Sequence, residues 1–323
     1  MELSQLFMLG LPADGDTSTV QAFQPGGVIL MGRNDAPPAG VRRVTKKLET
    51  VLASPPLIAV DQEGGRVQRL KDHFTAIPSA REMAGQGARA IGVMASIAAA
   101  ELRACGVNFQ FAPVCDVPTH PDDTVIGDRA FSTDPLEAAL CAAEWVRGAQ
   151  PTVLCAAKHF PGHGGVGVDS HFGLPTFEGT RDDLDDHLGP FRATIGAGVA
   201  SVMVGHIRVP SVDPSGAPAS LSHPLITGVL RDEMDFRGLV ITDDLDMGAL
   251  SDIEAGESAV RALQAGCDLL LFCHQWDKAR QAREAIQRAL DEGRLSETRV
   301  KDAIERVQWA KRKLGLLSEA VTA

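Results

Sequence analysis

The chain has 323 residues, 44% of them hydrophobic and 23% charged, and a formal net charge of −11, values ordinary for a folded globular protein. A chain this acidic lacks the basic face that phosphate binding requires, which argues against nucleic acid as a partner but leaves a neutral small molecule open. The length allows two domains, yet α/β barrels of this size are common as one unit, and no repeat, low-complexity tract or Pro/Ser linker divides the sequence; one domain over 1–323 and a monomer are expected.

The opening MELSQLFMLGLPADG has Glu2 and no Lys or Arg before a short apolar patch, so it reads as mature sequence and not as a secretory signal. The first strand is predicted at Leu6–Leu11 and the second at Gly27–Met31, followed by a helix over Val41–Ala53. A third strand, Leu57–Asp61, runs into QEGGRVQR, and the next helix is predicted over Ala80–Ala104. Its most apolar part, Ile91 to Ala100, is half a membrane span flanked by Arg89 and Glu101, so no membrane partner is expected. Strand Val107–Pro113, helix Pro135–Gly148 with Asp134 as N-cap, strand Val153–His159 and helix Asp182–Ile195 follow. The last strands are Ser201–His206, Leu239–Asp243 and Asp268–Cys273, with helices Ile253–Ala265, Asp277–Glu292 and Ser296–Lys313. Six scattered cysteines without a CxxC pair read as buried thiols of a reducing compartment, hence a cytoplasmic protein.

Eight apolar runs alternating with helices predict an α/β fold, and eight is the closing number of a (β/α)8 TIM-type barrel. The competitor is an open doubly wound sheet, which usually carries a GxGxxG turn after its first strand; LGLPADG is not one. A barrel places its chemistry at the C-terminal ends of its strands. Those ends carry Asp61, Lys158-His159, His206 and Asp243-Asp244, while the rest of each strand is apolar.

In DQEGGRVQR, the side chains of Asp61, Glu63, Arg66 and Arg69 exceed what a plain Gly-Gly turn needs. Either they form a structural ion-pair network, or Asp and Arg together grip sugar hydroxyls. In KHFPGHGGVGVDSHFGLP, His159, His163 and His171 invite a zinc reading, but the segment has no HExxH and no cysteine. The stronger alternative is an Asp169–His171 pair, the carboxylate orienting the imidazole as a general acid/base. Asp243, closing a buried strand, is a candidate nucleophile; an acidic metal patch with Asp244 and Asp246 is the weaker reading. No metal or cofactor is expected.

Taken in order, VDQEGGRVQRL, FAPVCDV, VIGDRAFSTDP, KHFPGHG, VDSH, SVMVGHI, PASLS and VITDDLDMGAL resemble the family-3 glycoside hydrolases. Within them the closest likeness is to the bacterial single-domain β-N-acetylglucosaminidases of cell-wall recycling. The resemblance covers about Gly26 to Cys273. It implies Asp243 as nucleophile and Asp169 with His171 as acid/base dyad. It implies further that Asp61, Arg69, Arg129, Lys158 and His159 grip the hydroxyls and N-acetyl group of the terminal sugar, and that His206 and Met247 line the pocket. One departure stands out: members carry Asp-Thr after GHG, where this chain has Gly165-Val166. The function implied is retaining release of terminal GlcNAc from 1,6-anhydro-muropeptides. Phosphorolysis of the same glycosides, or a broader β-glucosidase activity on the same scaffold, stays open.

Overall fold

The barrel strands are short and apolar because both faces are covered, the pattern of a parallel sheet between helices and a packed interior. In the computed structural model, which describes residues 2–119, 125–166 and 173–318, the elements in chain order begin with β1 (Phe7–Gly10), α1 (Ser18–Phe23), β2 (Gly27–Leu30), α2 (Pro38–Val51) and β3 (Leu57–Val60). A hairpin, β4 (Gln62–Gly64) and β5 (Val67–Gln68), precedes α3 (Ala80–Ala84), α4 (Ala88–Ala104), β6 (Phe109–Gln110), α5 (Pro135–Ala149) and β7 (Leu154–Phe160). Then come α6 (Arg181–Gly196), β8 (Ser201–Val204), a π-helix (Pro224–Glu233), β9 (Leu239–Thr242), α7 (Ala255–Ala265), β10 (Leu270–Phe272), α8 (Trp276–Asp291) and α9 (Glu297–Lys313).

Eight strands form one parallel sheet in the order β10-β1-β2-β3-β6-β7-β8-β9. It closes on itself: Ile241 bridges Leu269 in parallel, and the Thr242 and Leu245 amides donate to the Leu269 and Leu271 carbonyls at 3.0 and 2.9 Å. Alternation along each strand sorts the side chains into two layers. Phe7 and Leu9 face the helices, while Met8 joins Ile29, Leu57, Phe109, Leu154, Met203, Ile241 and Leu271 inside the barrel. Val307 and Ala310 of α9 belong to that interior cluster and close the floor. The opposite end, where strand C-termini converge, is left for chemistry.

The predicted caps hold. Asp134 Oδ1 accepts from the Leu136 and Glu137 amides at 2.8 and 3.1 Å, and Ser296 Oγ from the Arg299 amide at 3.1 Å. Two expectations need correction. The helix expected over Ala80–Ala104 is two helices, broken at Gly85–Gly87, with Gly87 at φ 92°. The strand expected over Val107–Pro113 narrows to Phe109–Gln110, with the flanking Asn108 and Phe111 amides still donating to the Ile58 and Val60 carbonyls at 3.0 and 2.9 Å. DQEGGRVQR forms a hairpin after the third strand. No helix among the described residues is long and apolar enough to cross a membrane, and all six cysteines are buried and free.

Candidate active site

The mouth of the barrel holds a cavity of about 560 Å³. Its floor is apolar, from Ile29, Met31, Phe111, Met203 and Leu271, and its walls carry Asp61, Glu63, Arg69, Arg129, Lys158, His159, His163, Asp243, Asp244 and Met247. An apolar base with convergent polar groups above it suits a sugar ring, which presents C–H faces and hydroxyl edges.

The β4–β5 hairpin builds one wall. Gly64 and Gly65 have φ of 107° and 54°, conformations natural to glycine. A Cβ on Gly64 would lie 2.2 Å from the Pro78 carbonyl oxygen, so the turn admits no larger residue. This places Glu63, 5% exposed, at the centre of an ion network. Arg129 grips it bidentately, Nε and Nη2 each at 2.8 Å, and Lys158 Nζ lies 2.6 Å from its Oε1. Lys158 also donates to Asp61 Oδ1 at 2.6 Å, and Arg69 Nε stands 3.5 Å from Asp61 Oδ2. Burial by itself would push the Glu63 carboxyl up, but the charges of Arg129 and Lys158 outweigh it and hold it far below the usual carboxylate range. Lys158, itself buried, is held above its ordinary range by Asp61 and Glu63 against the cost of desolvation. Two cations are thus fixed by one buried carboxylate and presented, with Asp61, to whatever enters.

Lys158 and His159, joined by a cis peptide, both reach the cavity. Beneath His159 lies Asp116, 1% exposed. Its carboxylate accepts from His159 Nδ1 at 2.7 Å, from the His159 amide at 3.2 Å and from the His163 amide at 2.6 Å. A carboxylate only accepts, so Nδ1 carries a proton and Nε2 is the nitrogen left for a ligand. Desolvation opposes the Asp116 charge, yet His159 and His163 hold its carboxyl below the usual range. The HGG turn that follows packs closely: a Cβ on Gly164 would sit 2.2 Å from the Val117 carbonyl oxygen, and the Thr119 amide donates to the Gly164 carbonyl at 2.9 Å.

Asp243 lies one residue past β9, its amide donating to the Val204 carbonyl at 2.8 Å, and its carboxylate is partly open to the cavity. Oδ1 accepts from the Asp244 amide at 2.8 Å. Burial would raise this carboxyl; the fields of His159 and His206, that amide and Lys158 more than offset it, and it stays ionised below the usual carboxylate range. Asp244 differs. Its Oδ1 turns to the Cys273 and Asp246 amides at 3.1 and 3.0 Å, and burial, reinforced by Asp246, pushes it up to about 7. One strand end therefore offers a carboxylate that is charged at neutral pH and a neighbour that titrates there.

His206 is not where a pocket-lining role needs it. It is fully buried, outside the residues lining the cavity, with Nδ1 2.7 Å from Ser220 Oγ and Nε2 3.0 Å from the Asp244 carbonyl oxygen. It fixes the backbone beside Asp243 from below. Met247 does line the cavity. Asp169 and His171 lie outside the described residues. Sequence reasoning assigned no role to Asp116, although FAPVCDV carries the same signal as Asp61, an acid following an apolar run. Glu63 was noticed in its motif, but its place beneath Arg129 and Lys158 depends on a contact 66 residues away. Among the described residues no three His, Cys, Asp or Glu side chains converge as metal ligands.

Comparison with known proteins is consistent along the whole chain. The family model "Glycosyl hydrolase family 3 N terminal domain" matches residues 1–310. The β-hexosaminidase of Nitrosomonas eutropha is 38% identical over 302 residues, 88% of this chain and 85% of its own. The structure of a family-3 β-N-acetylglucosaminidase from Paenibacillus sp. is similar with a TM-score of 0.94 and 38% identity; the match covers 100% of this chain but 64% of that one, so this chain spans less than two thirds of it. The β-N-acetylhexosaminidase of Beutenbergia cavernae matches with a TM-score of 0.90 and 30% identity, over 96% of this chain and 97% of that one.

Proposed function

The chain belongs to glycosyl hydrolase family 3, and from that premise we propose that it is a retaining exo-β-N-acetylhexosaminidase releasing terminal GlcNAc from peptidoglycan fragments such as 1,6-anhydro-muropeptides. The observation that carries this reading is the ionised Asp243 carboxylate, open to a cavity whose opposite wall offers Asp61, Arg69, Arg129, Lys158 and His159. Hydroxyls and an acetamido group need acceptors and donors together, and a wall of paired carboxylates and cations supplies both.

In the proposed reaction the Asp243 carboxylate attacks the anomeric carbon as the bond to the leaving oxygen breaks. His171, protonated and oriented by Asp169, gives its proton to that oxygen. Water then attacks the glycosyl-enzyme, neutral His171 takes the water proton, and Asp243 leaves with its electron pair, restoring the carboxylate and retaining the configuration. His159, with Nδ1 committed to Asp116, has Nε2 left to hold a sugar hydroxyl.

The other route for hexosaminidases uses the substrate's own acetamido oxygen as nucleophile, with adjacent carboxylates steering it. Against that route, Asp244 Oδ1 is held by the Cys273 and Asp246 amides, which favours Asp243 as the attacking carboxylate. The test is a fluorinated GlcNAc donor followed by peptide mapping: an adduct on Asp243 is expected, with weak inhibition by thiazoline mimics. Strong thiazoline inhibition and no adduct overturns direct attack. Adding phosphate and assaying sugar 1-phosphate separates hydrolysis from phosphorolysis, and comparing aryl β-GlcNAc with aryl β-Glc tests the sugar preference.

A further inference from the structure

The last barrel strand, β10, meets β9 at the seam and delivers Cys273 and His274 to the same end of the barrel as Asp243. His274 lines the cavity, its side chain 53% exposed. Its setting is specified from two sides. The Asp246 carboxylate fixes the backbone, Oδ2 accepting from the His274 and Gln275 amides at 2.9 Å each. Arg33, in the turn after β2, fixes the ring. Its Nε donates to the Leu11 carbonyl at 2.8 Å and its Nη2 to the Cys273 carbonyl at 2.7 Å, which brings Nη1 to 3.1 Å from His274 Nδ1. A guanidinium only donates, so Nδ1 is the acceptor and the ring proton sits on Nε2. Burial and the Arg33 charge outweigh the field of Asp246 and hold the imidazole below its ordinary range. At neutral pH His274 is therefore an uncharged ring with one fixed N–H donor.

That donor stands 3.9 Å from Asp244 Oδ2, too far for a direct hydrogen bond. Asp244 Oδ1 is taken by the Cys273 and Asp246 amides, which leaves Oδ2 as the oxygen for a ligand, and Asp244 also lines the cavity. Two polar atoms at this separation share one guest, because a single oxygen between them can lie about 2.8 Å from both. An acetamido group gripped at both ends does not fit there, since the N–H and C=O of a trans amide point in opposite directions. A hydroxyl does fit: it accepts from Nε2–H and either donates to the Asp244 carboxylate or accepts from the protonated carboxyl. We propose that His274, set by Arg33, is a specificity-determining residue that together with Asp244 takes one hydroxyl of the terminal sugar. Lys158 comes from β7, two strands from β9 on one side, whereas His274 follows β10, next to β9 on the other. The sugar is thus held on both flanks of Asp243. This rests on the hydrolase reading of the cavity and adds to it a residue that chooses the sugar.

The experiment measures kcat/KM for aryl β-GlcNAc and its 3-, 4- and 6-deoxy analogues. It compares wild type with His274→Phe, which keeps a ring without nitrogen, and with His274→Gln, whose amide restores a donor near Nε2. One of the deoxygenations should cost the wild type about tenfold or more, the worth of a hydroxyl bonded on two sides. In His274→Phe the same deoxygenation should cost no more than about twofold, while the other two cost what they cost the wild type. His274→Gln should recover part of the lost selectivity. Arg33→Met, which frees the ring but leaves it in place, should weaken that selectivity and no other. Circular dichroism checks the fold of each variant. A loss in His274→Phe shared equally by all four substrates would mean a structural role and overturns the proposal. So does coupling of His274 to the acetamido group instead, read with aryl β-Glc. In both cases turnover of aryl β-GlcNAc by the wild type keeps the parent reading standing. No turnover of any β-GlcNAc glycoside overturns the parent reading and the role of His274 together.

Discussion

Neighbouring carboxylates at the end of β9 show how environment alone separates two identical side chains. Asp243 is held ionised by the imidazoles and lysine around it, so Asp243→Ala should lower kcat on aryl β-GlcNAc by about 10⁴ or more while the melting temperature changes little. Retention of more than a few per cent of kcat would remove it from the nucleophile role. Asp244, pushed up to about 7 mainly by burial, makes the opposite prediction. A carboxyl whose folded pKa is raised stays neutral in the fold while the unfolded chain ionises, so its contribution to stability is present at acid pH. That contribution is lost as pH climbs from about 4 towards 7. Asparagine keeps the Oδ1 acceptor for the Cys273 and Asp246 amides. Asp244→Asn should therefore be more stable than wild type at pH 8 by about 1–3 kcal/mol, with the advantage vanishing near pH 4. Denaturant unfolding at both pH values checks it; an equal difference at both would mean that Asp244 is already ionised throughout.

At the scale of elements, the site depends on two tight backbone approaches, the Gly64-Gly65 turn of the β4–β5 hairpin and the HGG turn after β7. Each places charged side chains by letting main chain touch main chain. Gly164→Ala drives a methyl to 2.2 Å from the Val117 carbonyl oxygen, and backbone on both sides cannot yield cheaply. The variant should lose about 1–3 kcal/mol of stability. It should also lose kcat/KM beyond what its melting curve explains, since the same turn carries His163 and its contact to Asp116. Gly196→Ala, where nothing lies within 4 Å, is the matched control and should be neutral or slightly stabilising. Equal behaviour of the two variants would show that the turn tolerates a side chain after all.

For the molecule as a whole, the barrel floor carries an unusual cation. Lys311 of α9 is fully buried, its Nζ donating to Gln5 Oε1 at 2.9 Å and Ser54 Oγ at 3.0 Å. Burial pushes its ammonium down to about 8. Between pH 8 and about 10.5 the folded lysine is neutral while the unfolded one stays protonated, so the unfolded state binds more protons and stability rises with pH across that window. Lys311→Met lacks this response. From pH 7 to pH 10 the stability of wild type relative to Lys311→Met should shift in favour of wild type by about 1–3 kcal/mol. A pH-independent difference between them would mean that Lys311 keeps its charge inside the floor.

The sequence by itself determined what depends on local pattern. Eight apolar runs alternating with amphipathic stretches specified a parallel barrel, because residues buried on both faces leave no polar alternation to mistake for an open antiparallel sheet. Charged and imidazole side chains at the ends of those runs marked Asp61, Lys158, His159 and Asp243, since a charge closing a buried strand is costly unless it is used. Local signals also fixed the N-caps at Asp134 and Ser296. What they could not carry was anything settled by distant contact. The Gly85–Gly87 break looked like continuous helix, because glycine and glutamine interrupt no apolar period by themselves. His206 shares the strand-end signal of His159, yet the tertiary structure turns it to Ser220 and the Asp244 carbonyl, while Asp116, passed over in FAPVCDV, comes to orient His159 and His163. The ionisation of Asp243 and the raised carboxyl of Asp244 were decided only in three dimensions, because burial and the charges brought around each carboxylate belong to the fold and not to the order of residues.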